Sequence, residues 1–231
     1  MNKVEMLPTG ESRAPSERFL VAMQRYAGTA EEKPPVSVIG DSQMRNVMRT
    51  PEGIPSQVYY FELRHGTNNG DGRDGDLITG IEIGKAAGEF MKTSDYGLAD
   101  TNRTIKIKEG QGIVLMQKNA PGLNGSVISD VVEEFETIQV NKGQEVVIPP
   151  GFFYALVNPN RENILVVQHS EPRIKDHKSD NPNSEAIRAK HGFAYRVVAA
   201  DSHVCLQPNK NYREVKKFQN GGIPLFGENL D

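Results

Sequence analysis

A chain of 231 residues, 37% hydrophobic and 25% charged with a formal charge of -3, is long enough for one β-rich domain and lacks the basic field that holds a nucleic-acid backbone or an anionic membrane. No apolar run approaches the roughly 18 residues needed to span a bilayer, and the N-terminus MNKVEMLPTGESRAPSE lacks a signal-peptide core, so the expected compartment is the cytoplasm. The single cysteine, Cys205, excludes an internal disulfide and cannot build a thiolate metal site alone.

In the first 35 or so residues Pro8, Pro15, Pro34 and Pro35 interrupt any long element. One short helix is predicted over 16–28, where Phe19, Leu20, Met23 and Tyr26 recur at helical spacing. From Gln57 the pattern turns to β segments punctuated by Gly, Asn and Pro. Strands are predicted over 57–65, 76–84, 103–108, 112–118, 126–140, 144–150, 154–158, 163–169 and 193–200. Asn124-Gly125 suits a hairpin turn, because both residues tolerate positive φ. A second short helix, 184–191, stops at Gly192 as a C-terminal cap requires. The tail from Asn220 is Gly- and Asn-rich and belongs on the surface, with IPLFG apolar enough to dock it. Many short strands at this spacing predict a barrel or sandwich.

The most informative segment is KGQEVVIPPGFFYALVNPNRENILVVQHS at 142–170. It resembles the second cupin motif, in which a glycine, a proline pair, a histidine and an asparagine fall on adjacent strands of a small barrel. EGQGIVLMQ at 109–117 is similar to the hairpin that closes the first cupin motif, and GEFMKTSDYGL at 88–98 to the lead-in to that motif's paired histidines. The run from His177 to Val198, followed by QPNKNY at 207–212, is similar to the C-terminal part of cupin-type glucose-6-phosphate isomerases. The resemblance covers residues 76 to 215. It implies an all-β cupin, a double-stranded β-helix or jelly-roll barrel with a short N-terminal and a short C-terminal helix. The organisation it gives is an N-terminal helical or extended arm over 1–50, a barrel domain over 51–215 and a tail over 216–231. It also implies a homodimer and a small sugar phosphate as ligand.

In that family four side chains, His, His, Glu and His, hold one divalent metal. Carried over position by position, they fall on Tyr96, Leu98, about Arg103 and Tyr154. A first-row ion needs converging imidazole or carboxylate donors, so neither metal nor other cofactor is expected. The same resemblance puts Thr79, Gly88 and Thr93 where the family contacts the sugar phosphate, and Tyr96, Arg103 and Tyr154 around the vacated centre. Each has a plainer reading. The tyrosines also serve as barrel filling, Arg103 also serves as an ion-pair partner for Glu82 or Glu89, and Thr79, Gly88 and Thr93 also serve barrel geometry. The acid–base candidates are His177, in the polar segment after the barrel, and Glu89, the nearest carboxylate in sequence. His169, ending an apolar strand, reads either as facing the barrel mouth or as a hydrogen-bonded edge residue, the second being the plainer reading. Three functions follow: a binder of a phosphorylated ligand without metal chemistry, a metal-independent sugar isomerase or epimerase, or a structural module with a filled barrel.

Overall fold

The computed structural model describes residues 14–27, 36–40, 44–48, 57–65, 76–86, 88–93, 101–123, 126–170, 182–200 and 203–226. Helix α1 spans Glu17–Tyr26. Strands follow as β1 (Val36–Gly40), β2 (Val58–His65), β3 (Asp76–Ile81), β4 (Lys85–Ala86), β5 (Glu89–Lys92), β6 (Arg103–Glu109), β7 (Gln111–Pro121), β8 (Val127–Asn141), β9 (Glu145–Ile148), β10 (Phe153–Asn158) and β11 (Leu165–Ser170). Helix α2 (Pro182–Ala189) precedes β12 (Tyr195–Ala200), β13 (His203–Pro208) and β14 (Glu214–Gln219). One sheet runs β1-β2-β3-β11-β6-β9 and the other β13-β12-β5-β10-β7-β8-β14, with β4 on β5. This is the all-β jelly-roll barrel, with its two short helices, that the sequence predicts.

Strand alternation decides what fills the barrel. Along β6, Arg103, Ile105 and Ile107 are buried while Lys106 faces solvent, as one half-buried sheet face requires. Opposite them Leu165, Val167 and His169 alternate on β11. Ile105, Ile107, Leu165 and Val167 join Val114, Met116, Tyr154 and Leu156 of the second sheet in one interior core.

Each sheet's outer face has its own cover. Helix α1 lays Phe19 and Ala22 on Phe61, Leu63 and Ile78. Phe19 meets Phe61 edge-on, with ring centroids 5.1 Å apart, a geometry that adds about 0.5–1.5 kcal/mol to burial. Gly80 makes the contact possible, because a Cβ there would sit 2.2 Å from the Phe61 ring. The helix start is fixed by Ser16, whose hydroxyl accepts from the Phe19 amide at 3.2 Å and donates to Glu82 at 2.7 Å. On the other sheet Ile187 of α2, Phe193, Val197, Leu206 and Ile223 cover Phe135, Phe153, Ala155 and Val157. Helix α2 closes at Gly192, whose φ of 105° lets its amide reach back to the Ile187 carbonyl at 3.0 Å.

Five strands lie outside the predicted set: β1, β4, β5, β13 and β14. Residues 214–219, which straddle the expected start of the tail at 216, pair with β8 in parallel, and the Leu206 amide donates to the Pro224 carbonyl while the Phe226 amide donates to the Leu206 carbonyl, docking IPLFG. Cys205 is buried. Asn124-Gly125 lies outside the described residues, although β7 and β8 pair up to Pro121 and Val127 on either side. Among the described residues no helix is long and apolar enough to cross a membrane.

The C-terminal end of α1 gives a pH prediction. The Tyr26 hydroxyl donates to Glu109 at 3.0 Å, and burial, with help from the Glu109 carboxylate, pushes its phenol up to about 12. The raised value belongs to the folded state, so the contribution is whole below the unfolded value near 10 and is lost as pH climbs to about 12. A phenolate absorbance titration of wild type minus Tyr26→Phe should show one group ionising near the upper figure.

Candidate functional site

The strand ends place a row of polar groups at one end of the barrel. Tyr154 lies near the start of β10, His169 near the end of β11, Arg103 at the start of β6 and Thr79 on β3. His169 faces Ile105 on one side and Leu77 on the other, so it sits in the middle of a sheet rather than at an edge. Its side chain crosses the barrel interior. His169 Nε2 lies 3.0 Å from Thr79 Oγ1 and His169 Nδ1 lies 2.8 Å from the Tyr154 hydroxyl. All three residues are buried, and the Tyr154 and His169 rings are 5.9 Å apart, tilted by 38°. An imidazole bonded at both nitrogens has its ring plane and tautomer set by its neighbours.

Arg103 occupies the inward row of β6 opposite Ile148 and is only 6% exposed. Neither anticipated partner takes it. Glu82 is held by the Ser16 amide and hydroxyl, each at 2.7 Å. Glu89 is held by Lys92 at 2.7 Å and lies 3.5 Å from the Arg196 guanidinium. Among the described residues the Arg103 side chain has no hydrogen-bond or ion-pair partner.

The other sequence candidates are dispersed. Thr93 is buried and accepts the Leu156 amide at 3.0 Å through its hydroxyl, extending the β5–β10 ladder where β5 ends. Gly88 stands exposed in the β4–β5 turn with a φ of 83°. Tyr96, Leu98 and His177 lie outside the described residues. Among the described residues no group of three or more His, Cys, Asp or Glu side chains is placed to hold a metal ion. His169 is the residue that sequence reasoning undervalued. The signal was present in NILVVQH, where Leu165 and Val167 set a parity that carries His169 inward.

Comparison with known proteins gives one family. The family described as glucose-6-phosphate isomerase (GPI) matches residues 55–214. No curated protein matches the chain. Among solved structures, the CENP-C cupin domain of Drosophila melanogaster is 12% identical, covering 67% of this chain and 97% of its own, with a TM-score of 0.32. The Cnp3 cupin domain of Schizosaccharomyces pombe is 10% identical, with 49% and 65% covered and a TM-score of 0.32. Hydroxypropylphosphonic acid epoxidase from S. wedmorenis, in complex with fosfomycin, is 9% identical, with 49% and 51% covered and a TM-score of 0.34. Likeness at this level says nothing of function.

Proposed function

Because the chain belongs to the glucose-6-phosphate isomerase (GPI) family, we propose that it binds a small phosphorylated sugar at the barrel mouth without the metal-dependent chemistry of that family. One observation carries this reading: Arg103 is buried on the inward face with no partner among the described residues. Stripping most of the water from a guanidinium is costly unless an anion meets it, and the Arg103 nitrogens are not sealed off from an entering anion. A phosphate offers its fork of N–H donors two oxygens at once. The two described positions that correspond to the family's ligands support the loss of the metal. A guanidinium has no lone pair to give, and the Tyr154 hydroxyl is engaged by His169; these residues do not fit a divalent ion.

A second reading, a metal-independent sugar isomerase or epimerase, is favoured by the 2.8 Å contact between Tyr154 and His169. A phenol whose proton passes to an oriented imidazole can take a proton from carbon and return it.

Calorimetric titration of fructose 6-phosphate and inorganic phosphate, with and without a chelator, tests the first reading. Binding should persist in chelator and weaken about ten- to hundredfold in Arg103→Met, the worth of a charged hydrogen-bond pair. A coupled turnover assay on the same samples separates the alternatives. Turnover stimulated by iron, manganese or zinc would sink both, whereas metal-free turnover abolished by His169→Asn would establish the second.

A further inference from the structure

A broad concavity lies at the other end of the barrel. A groove of about 830 Å³ runs between α1 and the turns β6–β7, β8–β9 and β10–β11. A second hollow of about 150 Å³ lies between the start of β7 and the docked C-terminal segment. Gln111 and Asn141 line both, so the two hollows adjoin at these residues, and a ligand crossing them would follow one track. We propose that this track is a docking groove for an extended acidic–apolar peptide segment of a partner protein.

Charge and shape carry the proposal. At the α1 end Arg18, Arg25 and Lys142 face Glu17 and Glu109, an excess of positive charge on a chain whose formal charge is -3. Arg25 is neutralised by Glu109. Lys142 has no partner among the described residues, and Arg18 has one long bond, 3.4 Å to Asn163. The other end is walled by Val204, Ile223 and Pro224. A ligand that fills the track is therefore acidic where it meets α1 and apolar where it meets the C-terminal segment. Between the ends stand the side-chain amides of Gln111 and Asn141, each offering donors and an acceptor that match a peptide unit. Among the described lining residues none is aromatic, which removes the ring face on which a sugar stacks and favours peptide over glycan. The groove is separate from the barrel mouth, so the proposal stands or falls independently of the sugar-phosphate reading.

The test is a fluorescence-polarisation screen of labelled dodecapeptides with acidic residues at one end and Leu, Ile or Val at the other, using the full chain. Such peptides should bind, lose affinity at high salt, and weaken about tenfold when the exposed pair is reversed as Arg18→Glu with Lys142→Glu. Val204→Glu should weaken peptides with an apolar end and leave all-acidic peptides unchanged. Arg103→Met, at the mouth, should leave peptide affinity as it was. Arg18 and Lys142 are exposed, so the reversed variant should melt like wild type. The proposal is overturned if no peptide in the screen binds or if the reversed pair binds as well as wild type.

Discussion

Replacing Glu89 by Gln is expected to destabilise the protein by about 3–5 kcal/mol, the range for breaking a buried ion pair by removing one member. The carboxylate lies between two cations, 2.7 Å from Lys92 Nζ and 3.5 Å from Arg196 Nε, and all three residues are buried. An amide keeps the shape and loses the negative charge that Lys92 and Arg196 share. The surroundings cannot relax easily. Lys92 also donates to the Val47 carbonyl at 2.7 Å, and Gly192 closes against the same carbonyl so tightly that a Cβ would stand 2.6 Å from it. The end of α2, the turn at Val47 and strands β5 and β12 thus converge on one ion cluster. For a chain of this size about 2–4 °C is lost per kcal/mol, so the melting temperature should fall by roughly 6–20 °C. Urea unfolding measures the change directly. Unchanged stability together with lost turnover would instead return Glu89 to the catalytic role that its place in the sequence suggested.

The fold was legible where hydrophobic alternation was strong. NILVVQH and YALVN became β11 and β10 nearly as written because both faces of those strands are covered. GEFMK escaped because β5 is four residues long and carries Glu89 and Lys92, which pair with each other inside the protein. EVKKFQ escaped because its charges suggest a solvated tail. It is held instead by parallel pairing with β8 and by ion pairs from Lys216 to Glu133 and Lys217 to Glu134. The site was legible in part. Position matching found Arg103 and Tyr154 but not what they would face, because the register that sets His169 between Thr79 and Tyr154 is a property of paired strands far apart in sequence. Neither Glu82 nor Glu89 was free to take Arg103, since each answers a local demand that composition does not reveal: a helix cap in one case, two buried cations in the other.

Tyr154→Phe distinguishes the functions left open by the barrel interior. The hydroxyl it removes is 2.8 Å from His169 Nδ1, and leaving a buried polar atom without that partner costs about 1–3 kcal/mol. Converting His169 to Leu as well should restore most of the loss, because replacing both partners by apolar groups can be nearly neutral, and a coupling of about 0.5–3 kcal/mol between the two changes is expected for groups in contact. Stability alone cannot separate a packed plug from a site, so ligand affinity must be read beside it. For a sugar-phosphate binder, the expected outcome, Tyr154→Phe weakens fructose 6-phosphate binding about tenfold, the loss of one hydrogen bond, while inorganic phosphate, held by Arg103, binds as before. For a proton relay the loss falls on kcat, by about 10²–10⁴, with affinity little changed. For a barrel that is merely filled, stability drops and neither ligand was bound at the outset. The middle of the barrel is the right place to ask, since Thr79, His169 and Tyr154 form a polar chain through an interior otherwise lined by Leu77, Val114, Met116, Leu156 and Val167, and an apolar side chain of similar volume at any one of those positions would have avoided the desolvation that this chain accepts.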